Sequence, residues 1–248
     1  MRIPAIVLFA ATAALGAPSS NFTGLPIGTN IPPGMVIEAP PPAAVSPPAR
    51  ADDRQKDIVK CANLVYAGSK SSVCFSDKFL ATVEKETNII ADRNFTPIKL
   101  SNKELFDYPF AIMTGEGAFS LPEAERKNLR AYLTRGGFLL ASAGCSSTEW
   151  NQSFRREIKQ VLPQCELKKI PLTHALFRTV FEIKSIVLAH GGTTQLEGIA
   201  LDGKLVVIYS SEGLNDTGNV KGCCCCGGNE VKNCHEINVN VFSYALTH

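Results

Sequence analysis

The chain has 248 residues, of which 45% are hydrophobic, 19% charged and 8% aromatic, enough apolar material for one sizeable core; a wholly disordered or fibrous chain is excluded. Lys and Arg number 25 against 23 Asp and Glu, a formal charge of +2, so the dense positive field that nonspecific nucleic-acid binding needs is absent and no nucleic-acid partner is expected. The unusual count is nine cysteines, an odd number that cannot all pair within one monomer.

The chain opens on a short positive start, Met1-Arg2, followed by an almost wholly apolar stretch of 14 residues from Ile3 to Gly16 that ends in small side chains. That is the pattern of a signal peptide, and it is shorter than the roughly 18 residues a spanning helix wants. Cleavage is expected near Gly16, which makes 1–17 a signal segment, leaves no transmembrane helix after its removal, and gives a secreted or periplasmic address. Residues 18–51 form the next unit, and nine of the fifteen prolines lie between Pro18 and Pro48. Each proline fixes φ and removes a donor, so this segment reads as an extended linker. The folded domain is assigned to 52–248.

Within that domain, residues 62–67 read as a strand, and Asp77 opens a helix over 78–88 in which Phe79, Leu80 and Val83 share a face. A second strand is expected at 96–100. Ser101 and Glu104 then have the spacing of a capping box, and 110–114 reads as a buried third strand. Ser120 and Glu123 form another capping box. It heads a helix over 121–134 that faces Leu129, Tyr132 and Leu133 inward and stops at Gly136-Gly137. A fourth strand follows at 138–142. Trp150, Phe154, Ile158 and Val161 recur at helical spacing before Pro163. Strands alternating with helices at these lengths imply a parallel sheet in a three-layer α/β sandwich. Residues 196–201 and 205–209, joined by Asp202-Gly203, read as an added β-hairpin. Residues 229–246 carry both periods: Ile237, Val239 and Val241 alternate as in a strand, whereas Val231, Cys234, Val241 and Ala245 suit a helix face.

Several motifs together resemble an uncharacterised bacterial domain family of unknown function. They are Phe106-Asp107-Tyr108-Pro109-Phe110, Met113-Thr114-Gly115-Glu116-Gly117, Leu129-Arg130-Ala131-Tyr132-Leu133 with Gly136-Gly137-Phe138-Leu139, Ser153-Phe154-Arg155-Arg156-Glu157, Leu196-Glu197-Gly198-Ile199 and Ile237-Asn238-Val239-Asn240. The resemblance covers about 61–248. It implies a class I glutamine-amidotransferase-like fold of the trehalose-utilisation type, which is flavodoxin-like, and it favours a helix at the C-terminal end. Members of that family often carry His where Glu116 stands, which weakens a histidine-based site there.

Ligands of open α/β sheets gather at the carboxyl ends of the strands. That places Gly115, Glu116, Gly117, Ser142 and Gly144 as candidate ligand-binding residues, with Glu116 as the candidate acid or base because its flanking glycines let a ligand approach. In the related amidotransferases a thiol nucleophile sits in a tight strand-to-helix turn backed by His and Glu. Here alignment puts Ala143, not Cys145, at that position, and His235 and Glu236 are adjacent, so an active triad of that kind is not expected.

The strongest local oddity is the run of four cysteines from Cys223 to Cys226, followed by Cys234-His235. Two readings stay open. Cys223, Cys226, Cys234 and His235 have donor types that suit zinc or copper(I). Alternatively, in an oxidising compartment the thiols form disulfides, with Cys61 and Cys74 as one pair and Cys145 and Cys165 as further candidates. The functional expectation is a non-catalytic, amidotransferase-like binding or assembly module of the cell envelope, with envelope proteins or glycans as partners. The alternatives are a hydrolase acting on a carbohydrate or small polar ligand through Glu116, and a thiol metal-binding protein.

Overall fold

The computed structural model describes residues 58–71, 75–216 and 230–248. The expected signal and linker segments, Cys74, Cys223 and Cys226 lie outside them. Nine strands are described: β1 Val59–Val65, β2 Ala91–Lys99, β3 Phe110–Gly115, β4 Phe138–Ala143, β5 Lys168–Lys169, β6 Ile186–Val187, β7 Thr193–Thr194, β8 Glu197–Leu201 and β9 Lys204–Ser210. The main helices are α1 Lys78–Glu86, α2 Glu123–Thr134, α3 Thr148–Val161 and α4 Cys234–Thr247.

Seven strands form one sheet in the order β2-β1-β3-β4-β9-β8-β5, and β6 with β7 makes a separate antiparallel pair. From β2 to β9 every pairing is parallel, whereas β8 runs antiparallel to β9 and β5 antiparallel to β8. The parallel part thus has the 2-1-3-4-5 order of flavodoxin-like sheets, with β9 in fifth place. Helices cover both faces, giving the expected three-layer sandwich. On one face α2 and α3 bury Leu129, Tyr132, Leu133, Trp150, Phe154, Ile158 and Val161; on the other α1 and α4 bury Phe79, Leu80, Val83, Ile237, Val241 and Phe242. Removing each such side chain from water stabilises the fold by about 1.5–3 kcal/mol.

The central strands β3 and β4 are apolar along their length because neither face meets water, whereas β2 at the sheet edge is mostly polar. That edge position also accommodates Pro97, since an edge strand needs only one of its two hydrogen-bonding sides. The Asp202-Gly203 hairpin forms as expected, both residues taking left-handed backbone (φ 50° and 82°).

Two helix starts differ from the sequence reading. Asn102, not Ser101, caps the short 3-10 helix Lys103–Asp107, its side chain accepting from the Glu104 N–H at 3.1 Å. Ser120 caps nothing: α2 starts after Pro122, whose carbonyl accepts from the Glu125 and Arg126 N–H groups, and the Ser120 hydroxyl instead accepts from Arg126.

The ambiguous C-terminal segment is α4. Cys234 and every residue from Ile237 to Tyr244 are buried, so its polar positions turn inward as well. A helix buried nearly all round loses the one-sided pattern that marks surface helices, which is why both periods fit it. Its inward amides donate to backbone carbonyls, Asn238 to that of Leu214 at 2.8 Å. Asn240 accepts from the Val180 and Phe181 N–H groups at 3.1 and 2.8 Å and donates to the Phe181 carbonyl at 2.7 Å. No described helix is long and apolar enough to cross a membrane.

Candidate ligand site at the carboxyl edge

Parallel register brings the last polar residues of three adjacent strands into one row. Thr114 of β3 pairs with Ser142 of β4, and Ser142 with Ser210 of β9. All three are buried, and the Thr114 and Ser142 hydroxyls both donate to Asn215 Oδ1, at 3.3 and 3.5 Å. The Asn215 carbonyl accepts from the Ser76 N–H at 2.8 Å, which ties the loop ahead of α1 to the same edge.

The opposite face of this edge is built around the only tryptophan. Trp150 Nε1 donates to the Tyr66 hydroxyl at 2.6 Å, and that hydroxyl donates to the Thr114 carbonyl at 3.1 Å. A Cβ on Gly115 would lie 2.4 Å from the Tyr66 oxygen, so glycine stands there because the tyrosine–tryptophan pair occupies its side-chain space. Gly144 is tight as well, since a Cβ would meet the Gly115 carbonyl at 3.0 Å. Burial desolvates the Tyr66 phenol and pushes its pKa up to about 12, with Trp150 opposing the rise.

Above this base, Glu116 is exposed. Its loop is anchored where the Gly117 N–H donates to Ser147 Oγ at 3.1 Å; the same oxygen caps α3 by accepting from the Trp150 N–H at 3.3 Å. Between β4 and α3 the chain turns through Cys145 and Ser146, both left-handed, at φ 48° and 53°. Ser146 Oγ donates to Glu212 at 2.5 Å, and the Glu212 N–H returns to Ser210 Oγ at 3.1 Å. Beside Glu212 a polar cleft of about 460 Å³ opens, lined by Arg155, Lys169, Thr193, Glu197 and Ser211 among others. Arg155 is fixed there: it bonds Glu197 through both terminal nitrogens, donates to Asn151 at 2.8 Å and lies over the Tyr209 ring.

The structure therefore gathers Gly115, Glu116, Gly117, Ser142 and Gly144 at one edge, though only Glu116 is exposed; Ser142 and Gly144 are buried. Sequence reasoning passed over Tyr66 and Asn215, which lack any local motif.

The thiol residues fall elsewhere. The four described cysteines, Cys61, Cys145, Cys165 and Cys234, form no disulfide with one another. Cys61 lies in the α1/α4 core, its thiol pushed up to about 12 by burial and then by the Asp92 charge. Burial, followed by the charges of Asp216 and Glu230, also pushes Cys234 up to about 12. His235 has both ring nitrogens engaged, Nδ1 with Asp216 at 2.8 Å and Nε2 with Thr82 at 2.9 Å. Among the described residues no group of three or more His, Cys, Asp or Glu side chains is placed to hold a metal ion. His174 acts as a cap, its Nδ1 accepting from the Leu176 N–H at 3.2 Å. Burial, followed by the nearby His248, holds its pKa below the usual histidine value.

Fold and edge together define a doubly wound α/β domain whose carboxyl edge is polar, glycine-rich and anchored to the first turn of α3. Residues 61–246 match a domain of unknown function, DUF4159, and the chain belongs to that family. No curated protein matches the chain.

Proposed function

We propose that the protein is an exported, amidotransferase-like binding or assembly module of the cell envelope that holds a carbohydrate or other small polar ligand at the carboxyl edge of its sheet, without turning it over. One observation carries the reading. Of the five described non-glycine residues with left-handed backbone, Ala67, Cys145, Ser146 and Asp216 all lie in loops that leave carboxyl ends of strands, and only Asp202 sits in a hairpin turn. Residues held in sparsely populated backbone regions cost about 1–3 kcal/mol each and concentrate at ligand clamps and active sites. The 2-1-3-4-5 strand order adds a switch point between β1 and β3, the neighbouring strands from whose ends the Ala67 turn and the Glu116 loop leave. The Ile3 to Gly16 stretch and the proline-rich segment support export and tethering.

Ligand-observed NMR of the purified chain against a panel of mono- and oligosaccharides, amino sugars and small carboxylic acids tests this reading. Binding by the wild type that weakens about tenfold in Glu116→Gln is the expected result. A panel with no binder, or binders indifferent to both Glu116→Gln and Gly144→Val, sinks it.

A hydrolase reading has one observation in its favour, the 2.5 Å bond between Ser146 Oγ and Glu212, which sets a carboxylate against a hydroxyl on a strained turn. Turnover of any panel member that disappears in Glu116→Gln or Glu212→Gln would replace the binding reading with this one. The metal reading rests on Cys223 and Cys226 together with Cys234 and His235. Zinc or copper found with the purified protein, together with shielded thiols, would support it, whereas absence of bound metal would end it.

A further inference from the structure

At the amino edge of the sheet, where α1 leads into β2 and α4 ends, a cavity of about 530 Å³ opens between three segments. They are residues 87–89 ahead of β2, the short 3-10 helix Ala175–Arg178 with the two residues after it, and the end of α4. Because α1 leaves the carboxyl end of β1 and returns the chain to the start of its parallel neighbour β2, this cavity lies at the opposite end of the sheet from Glu116. Its rim residues Asn88, Ala175, Arg178, Thr247 and His248 are exposed, whereas Ser243 is 1% exposed and forms the inner wall. Mostly apolar cavities of a few hundred Å³ with few placed polar groups are the usual form of small-molecule sites.

The hydroxyls of this wall are unequally engaged. Thr87 Oγ1 donates to the Val83 carbonyl at 2.7 Å, Thr179 Oγ1 to that of Ala175 at 3.1 Å and Thr247 Oγ1 to that of Ser243 at 2.7 Å, so each has its one proton in use. The Ser243 hydroxyl is buried and finds no partner among the described residues. Leaving a buried hydroxyl so is costly, and an acceptor atom brought into the cavity removes that cost. The apolar part of the wall is held in place: the Ile89 N–H donates to Thr87 Oγ1 at 3.1 Å, and the Val180 N–H to Asn240 Oδ1 at 3.1 Å.

Charge selects the class of ligand. Among the described lining residues Arg178 is the only Lys, Arg, Asp or Glu, and it stands at the rim with its guanidinium donating to the Thr173 carbonyl. The carbonyl ends of α1 and α4 at the same rim carry about half a negative charge each, which offsets that cation. At the inner wall a charged head would exchange its hydration for a single hydroxyl, which is unfavourable, whereas an uncharged acceptor needs no more than that. We infer that this cavity binds a small uncharged amphiphile, an aliphatic amide or ester, whose carbonyl oxygen accepts from Ser243 Oγ and whose apolar chain lies along Ile89 and Val180. The site is separate from the ligand reading of the carboxyl edge and does not depend on it.

Ligand-observed NMR of the full chain with octanamide, octanoate and octylammonium, which share one tail and differ in the charge of the head, tests this. Octanamide binds, and the two ions bind at least about tenfold more weakly. Ser243→Ala weakens octanamide about fivefold and leaves the ligand-free melting temperature unchanged or higher, because it removes an unpartnered hydroxyl; loss of a hydroxyl with a purely structural role would lower it. Ala175→Trp sets an indole at the exposed rim and abolishes binding in a chain that melts as the wild type does. Glu116→Gln, at the opposite edge, leaves octanamide binding unchanged. No binding of octanamide, tighter binding of either ion, binding unaffected by Ser243→Ala or by Ala175→Trp, a lowered melting temperature in Ser243→Ala, or loss of binding in Glu116→Gln overturns the inference.

Discussion

Glu157 illustrates how a single side chain can hold two helices of one layer together. Its carboxylate is almost fully buried on α3, yet Arg126 of α2 donates to it at 2.8 Å and Arg156 at 3.3 Å. Burial works to raise its pKa, and hydrogen bonds from Arg126 and its neighbours outweigh that, so the folded-state value lies below the ordinary carboxylate range. A depressed carboxylate contributes stability that is present above its unfolded pKa and lost as pH falls through its folded one. Glu157→Gln is therefore expected to lower unfolding free energy at pH 7 by about 2 kcal/mol and to leave a shallower acid limb, measured by urea unfolding from pH 7 down to pH 3. At Gly115 the issue is space. Gly115→Ala forces a methyl group against the Tyr66 hydroxyl and is expected to cost about 1–3 kcal/mol. Because Trp150 is the only tryptophan and donates to that hydroxyl, its fluorescence maximum should shift in the same variant. An unchanged spectrum and melting temperature would contradict the packing account.

Among the elements, α4 depends most on contacts distant in sequence. Its Asn240 satisfies two backbone N–H groups and one carbonyl of the segment after the short 3-10 helix Ala175–Arg178. Asn240→Ala leaves those groups buried without partners, and a loss of about 3 kcal/mol is expected in urea unfolding, against less than about 1 kcal/mol for an exposed position such as Lys85→Ala. The helices α2 and α3 were readable because each presents one apolar stripe, with Leu129, Tyr132 and Leu133 or Trp150, Phe154, Ile158 and Val161 facing the sheet. Their starting points were less readable. A serine three residues before a glutamate satisfies the capping pattern at both Ser101 and Ser120, but the chain path around Asn102 and Pro122 decided which backbone groups needed a partner.

At the scale of the whole molecule, the buried thiols and the expected export address make linked predictions. Cys61 and Cys234 are buried and have thiols raised to about 12, so in the native chain both should resist iodoacetamide at pH 8 and react only after denaturation. Peptide mass mapping after each step checks this; rapid native alkylation at either position would contradict the packing described. For the address, residues 1–57 fused ahead of a reporter enzyme should carry it out of the cytoplasm, and retention of the fusion in the cytoplasmic fraction would remove the export reading.

The sequence by itself determined the layer architecture, the hairpin at Asp202-Gly203, and the glycine-flanked Glu116 at a strand end, because all of these follow from short-range periodicity and turn chemistry. Periodicity left 234–247 open between strand and helix, since a segment buried nearly all round carries no one-sided pattern; the family resemblance favoured the helix that the tertiary structure shows. The tertiary structure alone placed Asn215 across Thr114, 101 residues away, and His235 between Asp216 and Thr82. Such pairings depend on strand order and parallel register, which bring distant residues to one edge, and no local stretch of chain encodes them.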